Sequence, residues 1–414
     1  MHVRWVEERL LRSARDNAVT VLAGPRGSGK TTLVSAAFRG APWRVLRLDR
    51  LDDLEAARTL PVELLGADTH LVIDEAQAAP ELLTPLRFVA ERERKSVRFV
   101  LVASTSPAAV GSLQELVARG AEQVMLGPLA AGELRGIPAG GLVGELLQPG
   151  GERKLKGLKG LEDAVRWLGP LAGRVCRGGF PAAQRGSQEE AGRFFQEYER
   201  EFLERDVRAV GGVGDLVPLR RALRGAALQS GALVNLAAVA PEAGVSPPTV
   251  RRYLEMADRG LLGKLLQPVD LVRKRRLIKA PKFYLRDSGM ACHLLGLAPR
   301  PDLVFNPLFQ ALLETWVLQQ LEGHAAALGP EADIRYWRTA DNREVDFVLR
   351  WGRRWLAVDV KHADALKPQM AASLNAFREE YPELVTAGLL VYAGREVVQM
   401  GEGVWAVPAA ALVM

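Results

Sequence analysis

The sequence predicts an α/β fold: a three-layer sandwich around a mainly parallel sheet, continued by a winged helix-turn-helix module and a second α/β unit. Three observations predict it. Apolar runs of strand length alternate with helix-forming stretches between Val19 and Leu129, the pattern of βα units. The first of these runs passes through a glycine-rich turn straight into a helix. After Leu308 a long apolar helix is followed by closely spaced strand patterns.

The rest of the chain is organised around the glycine-rich turn. Val19, Val21 and Leu22 lead into Gly24-Pro25-Arg26-Gly27-Ser28-Gly29-Lys30-Thr31, and helix-forming sequence begins at Thr32. This is G-x-x-x-x-G-K-[ST] between a strand and a helix, the P-loop. Glycines let the backbone wrap close to phosphates with N–H groups inward, and the helix N-terminus adds a favourable dipole. Lys30 would reach the β- and γ-phosphates of ATP, and the Thr31 hydroxyl would ligate Mg²⁺.

Composition narrows the classes. The 414 residues are 48% hydrophobic and 25% charged, as in ordinary globular proteins, and the length predicts several domains. Apolar runs fall far short of a membrane span, and Met1 to Arg12 is charged where a signal peptide would be apolar. A cytoplasmic protein with no membrane partner is expected. The isolated Cys176 and Cys292 and the scattered histidines show no metal-ligand spacing. A net charge of +6 is only a mild pointer to polyanions, so the placement of the charge matters more.

Along the chain, Met1 to Asn17 reads as an amphipathic helix, Trp43 to Leu48 as a second strand and Leu51 to Leu65 as helical. His70-Leu71-Val72-Ile73-Asp74-Glu75 is a Walker B pattern, with Asp74 expected on Mg²⁺ and Glu75 as general base. Arg98 to Ala103 is another buried strand. Ser104 or Thr105 at its end is a candidate sensor of the γ-phosphate, or a cap for the following helix. Arg119 follows a short helix before a strand and Pro128-Leu129.

With these motifs in view, the chain resembles the AAA+ ATPases, and within them a prokaryotic family carrying a C-terminal domain of unknown function. The shared features are Asp74-Glu75-Ala76-Gln77, Pro128-Leu129 with Glu133-Leu134, the turn Gly178-Gly179-Phe180-Pro181, and Arg205-Asp206. Ala103-Ser104 stands where the family usually has Gly-Ser. The resemblance implies ATP and Mg²⁺ as cofactors, Arg119 lining the nucleotide, and a ring-type homo-oligomer such as a hexamer. In such rings an arginine of one subunit reaches its neighbour's γ-phosphate, and Arg205 is the candidate; a helix-surface pairing with Glu201 is the alternative.

Gly136 to Gly160 is rich in glycine, proline and lysine and reads as a flexible insertion. Gln188 to Val210 is an amphipathic helix. Leu216 to Val269 has the pattern of a winged helix-turn-helix, with Ser246 to Leu254 as the recognition-type helix and strands near Leu261 to Val269 and Lys282 to Leu285 as the wing. Arg251 and Arg252 on the helix, with Arg273, Lys274, Arg275, Arg276 and Lys279 in the wing, are candidate DNA contacts. A module for subunit contacts with a solvated basic hairpin is the alternative.

In the last unit, Glu314 is the carboxylate of a buried helix, and Asp346 precedes a hairpin that leads to Asp359-Val360-Lys361. This is the PD-(D/E)xK nuclease arrangement, with Asp359 where Glu is usual. Glu314, Asp346 and Asp359 would hold Mg²⁺ and Lys361 would position the hydrolytic water. A non-cleaving structural domain is the alternative. The expected divisions are an ATPase core (1–135), an insertion (136–160), a helical arm (161–212), a winged module (213–290) and a restriction-endonuclease-like domain (291–414). The function expected is Mg²⁺-dependent ATP hydrolysis acting on DNA, or an ATP-controlled regulatory switch.

Overall fold

The computed structural model describes residues 2–414 apart from 41, 67, 95, 208–210, 212, 271–276 and 364. Strands β1 (Val19–Ala23), β2 (Arg44–Arg47), β3 (His70–Asp74), β4 (Arg98–Ala103) and β5 (Glu122–Met125) form one sheet, ordered β2-β3-β4-β1-β5 with every pairing parallel. Strand alternation divides their side chains between two cores. Val19, Val21, Leu71, Ile73, Phe99 and Leu101 face the helices Pro80–Arg92 and Gly111–Ala118. Leu22, Val72, Val100 and Val102 face Val6, Leu10 and Ala14 of the N-terminal helix and Leu33 and Val34 of the P-loop helix. The result is three layers, and β4 lies between β1 and β3, so the ends of all three strands meet beside the P-loop.

The stretch from Leu51 to Leu65 divides into two helices, Leu51–Thr59 and Pro61–Gly66, because Pro61 lacks the N–H that would continue the first. Gly136 to Gly160 is not a flexible insertion. It holds the helix Gly141–Leu146 and a 3₁₀ turn Gly151–Leu155, whose Leu142, Val143, Leu146 and Leu155 enter the large central core. The amphipathic helix spans Gln188–Glu201 and continues as a π-helical turn, Phe202–Asp206. Three helices come next, Leu216–Leu228, Leu236–Ala243 and Pro247–Arg259, N-capped by the side chains of Asp215, Asn235 and Ser246. A two-stranded antiparallel ribbon, β6 (Gly263–Leu266) and β7 (Lys282–Leu285), completes this module.

The C-terminal unit is a six-stranded mixed sheet built from β8 (Ala332–Arg338), β9 (Glu344–Trp351), β10 (Arg354–Lys361), β11 (Val385–Tyr392), β12 (Val398–Gly401) and β13 (Val404–Pro408), in the order β12-β13-β11-β10-β9-β8. Leu356, Val358 and Val360 join the core that includes the helix Phe309–Leu328, while Trp355 and Ala357 pack with Phe377 of the helix Ala372–Glu380. The middle module and the C-terminal unit share one large core. The P-loop layers join them at the long helix, where Trp5 of the N-terminal segment lies against His324 at 4.4 Å between ring centroids.

Burial pulls the His324 pKa down from 6.5 to about 4. The neutral ring is therefore the stable form, and its contribution is lost as pH falls from the unfolded value through the folded one. Between pH 6.5 and 4 wild type should lose on the order of 3 kcal/mol through this residue. Denaturant titrations across that window should show a shallower fall for His324→Gln.

Candidate functional site

Two glycines shape the phosphate cradle. Gly29, which precedes the P-loop helix, has φ 94°, a left-handed value that side-chain-bearing residues rarely adopt. A Cβ on Gly24 would lie 2.1 Å from the Leu126 carbonyl oxygen, so only glycine lets the loop pass this close to β5. Lys30 is buried, and its Nζ donates to the Gly24 and Pro25 carbonyl oxygens at 2.9 and 3.0 Å. Burial lowers its pKa to about 8, against the pull of Glu75 and Asp74. The buried Ser28 hydroxyl has no hydrogen-bond partner among the described residues, and a phosphate oxygen would give it one.

At the end of β3, Asp74 accepts from the Thr31 hydroxyl at 2.7 Å and from the Glu75 N–H at 3.1 Å. Burial raises its pKa. Glu75 sits at φ 60°, an uncommon conformation for this residue type that swings its carboxylate across the cleft. One of its oxygens accepts from Ser104 Oγ at 2.7 Å and the other from Gln77 Nε2. Gln77 Oε1 in turn accepts from the Ser104 N–H at 3.4 Å. The end of β4 and the fourth residue of Asp-Glu-Ala-Gln thus hold the carboxylate jointly. Thr105 lines the same cleft, which has a volume of about 660 Å³ and is also lined by Thr32, Arg185 and Arg205.

The middle of the chain closes this cleft. Pro181 of the Gly-Gly-Phe-Pro turn lies over Gly29, and Phe180 and Phe194 lie over Gly27. Gly178 and Gly179 wrap Asp287, whose Oδ2 accepts from the Gly179 N–H at 2.6 Å. Arg26 of the P-loop donates to Asp206 at 2.9 Å, with Glu201 at 3.7 Å. Asp206 is buried, and burial raises its pKa. The neighbouring Arg205 is exposed and lines the cleft of its own chain. Arg119 is not at the cleft. It caps the helix Gly111–Ala118 and pairs on the surface with Glu91 and Glu115, because that helix ends on the far side of the sheet's carboxyl edge.

Sequence reasoning gave no role to Arg4 or Glu133, which brace the P-loop from beneath. Arg4 donates to Glu133 at 3.0 Å, to the Ser28 carbonyl at 2.7 Å and to the Gly127 carbonyl at 2.8 Å. Glu133 also accepts from the N–H groups of Trp5 and Ala130. The signal available was the Glu of the Pro-Leu…Glu-Leu motif, an acidic residue in an otherwise apolar stretch.

Arg251 and Arg252 are exposed on the helix Pro247–Arg259, whose other side buries Val250, Tyr253, Leu254 and Ala257. Lys279 is exposed beside the ribbon. Arg273, Lys274, Arg275 and Arg276 lie outside the described residues. The C-terminal end of this helix meets the nucleotide side of the core, where the Arg259 carbonyl accepts from the Ser106 N–H at 2.8 Å.

Glu314, Asp346, Asp359 and Lys361 do come together. Asp346 Oδ2 accepts from the Val360 N–H at 2.9 Å, Lys361 donates to Asp359 at 3.0 Å, and Tyr284 and Gln310 donate to Glu314 at 3.2 and 2.8 Å. The group also holds Lys282, absent from the sequence expectation. Its fully buried ammonium contacts Glu344 and lies 3.4 Å from Asp346. Burial pushes Glu314 up to about 8 and Asp359 well above its usual value. Among the described residues no group of three or more His, Cys, Asp or Glu side chains is disposed to hold a metal ion. The Mg²⁺ expected on Glu314, Asp346 and Asp359 therefore does not fit, since an ammonium stands among them.

Comparison with known proteins matches three family models: an AAA domain over residues 16–135, a domain of unknown function (DUF8612) over 170–300 and another (DUF4143) over 309–412. Uncharacterized proteins of Mycobacterium tuberculosis and Mycobacterium bovis are each 30% identical over 403 residues, covering 97% of this chain and 82% of theirs. Among solved structures, the Walker-type ATPase of Pyrococcus abyssi is 15% identical with a TM-score of 0.40, covering 71% of this chain and 96% of that one.

Proposed function

The chain belongs to one family with these mycobacterial proteins and carries an AAA domain over residues 16–135, and from that premise we propose that it hydrolyses ATP to control how its middle module engages DNA. ATP would lie against the P-loop backbone with Lys30 on its phosphates. Glu75 would draw the proton from the attacking water once released from Ser104 and Gln77. Thr31 and Asp74 would hold Mg²⁺, which would neutralise phosphate charge.

One observation carries the link to DNA. Ser104 touches the candidate base, and two residues on, the Ser106 N–H holds the last turn of the helix that presents Arg251 and Arg252. Whatever shifts at the γ-phosphate when Glu75 is released bears directly on the position of that helix. Three capped helices followed by an antiparallel ribbon suit a winged-helix arrangement, and the exposed arginines suit phosphate contact without base readout. Phosphodiester cleavage is not part of this reading, because of the place Lys282 occupies.

ATP turnover with single-stranded, duplex and four-way-junction DNA tests the proposal. At least one form should stimulate wild type. The double variant Arg251→Ala, Arg252→Ala should lose that stimulation while keeping its DNA-free rate, and its duplex affinity should depend less on salt by about 0.9 log units per lost phosphate contact. Turnover indifferent to every DNA would overturn the reading.

A further inference from the structure

We propose that Lys282 is the resident cation of the C-terminal acidic cluster: an ammonium carried in by the middle module stands where a nuclease-type domain would hold a metal, and it fastens that module to the domain. Four carboxyl groups converge from the long helix, β9 and β10: Glu314, Glu344, Asp346 and Asp359. Without cations, such a buried set would repel itself. Two ammonium groups are supplied. Lys361 comes from β10 itself and is bound to Asp359. Lys282 comes from β7, and its side chain is 0% exposed between Glu344 and Asp346, with the Tyr336 ring 5.5 Å away.

The surroundings fit a closed internal lock better than an open catalytic site. Tyr284, two residues along β7 and on the same face as Lys282, donates to Glu314. Gly231, in the turn that leads away from the helix Leu216–Leu228, has φ 83°. A Cβ there would lie 2.3 Å from Glu314 Oε2, so backbone of the middle module seals that side. Isolated bridges of Pro268 to Tyr336 and of Leu277 to Thr339 tie the connection between β6 and β7 to β8 and the residue that follows it. Asp346 and Asp359 are only 6% and 2% exposed. Burial works to deprotonate Lys282, but the carboxylates of Asp346 and Glu344 outweigh it and hold the ammonium charged.

In functional terms the ribbon and the C-terminal domain form one body, fixed by ion pairs that need no divalent ion. A helix displaced at Ser106 would then carry the whole C-terminal domain with it.

Mn²⁺ binding to the nucleotide-free, full-length protein, followed by the loss of the free-ion electron paramagnetic resonance signal, tests this in wild type and Asp346→Asn. Equal binding by the two proteins is expected. Binding to wild type that Asp346→Asn abolishes would overturn the proposal. Thermal unfolding supplies a second arm: Lys282→Met should lower Tm, and adding Glu344→Gln with Asp346→Asn should recover most of the loss. A Lys282→Met protein as stable as wild type, or a loss that neutralising the carboxyls deepens, would also overturn it. Should Lys282→Met fail to fold, the Mn²⁺ comparison still decides.

Discussion

Glu75→Gln should lower kcat for ATP hydrolysis by about 10²–10⁴-fold, the range for loss of a general base, while leaving ATP affinity close to that of wild type. The amide keeps the shape and can still bond Ser104, but it cannot take a proton from water. Glu75 lies at the cleft yet is held by Ser104 Oγ and Gln77 Nε2, so its removal touches the chemistry and not the phosphate cradle. Lys30→Ala should behave differently, losing ATP binding itself, because the ammonium it removes is the positive group at the centre of the loop. Steady-state kinetics with equilibrium binding of a fluorescent ATP analogue separates the two. A Glu75→Gln protein with kcat close to that of wild type would remove Glu75 as the base.

Glu133→Ala should destabilise the protein by about 3–5 kcal/mol, the usual cost of stripping one partner from a buried ion pair. The carboxylate is 4% exposed and accepts from Arg4, Trp5 and Ala130. Its loss leaves the Arg4 guanidinium buried without its counter-charge and frees two N–H groups. Because Arg4 also holds the Ser28 carbonyl, KM for ATP should rise together with the loss of stability. Glu133→Gln, which keeps one acceptor oxygen but neither the second nor the charge, should fall between wild type and Glu133→Ala in chemical denaturation.

The nucleotide site was legible because its chemistry is local. A strand, a glycine-rich loop and a helix N-terminus specify the cradle almost alone, and an apolar strand ending in Asp-Glu lies downstream in the same sheet. Asp206 was visible only as part of a resemblance. Its partner Arg26 lies far away in sequence, and nothing in the spacing pairs them. Lys282 was harder still, for a lysine in Pro-Lys-Phe-Tyr-Leu reads as a wing residue facing solvent. It turns inward because distant carboxyls need neutralising, a tertiary demand that no local pattern records. Gly136 to Gly160 misled for a related reason: its glycines and lysines suggest a loop, while its leucines find a core built by helices from elsewhere. Arg119 was placed by analogy of position, and one helix's direction carried it to the surface.

The most direct test of the coupling between nucleotide and DNA is the DNA affinity of the Glu75→Gln protein, measured at one fixed salt with saturating ATP and without nucleotide. Coupling predicts a difference of about fivefold or more, with ATP affinity changed by the same factor when DNA is present, as linkage requires. Equal DNA affinities in the two states would contradict it, leaving an ATPase whose cleft and middle module work independently.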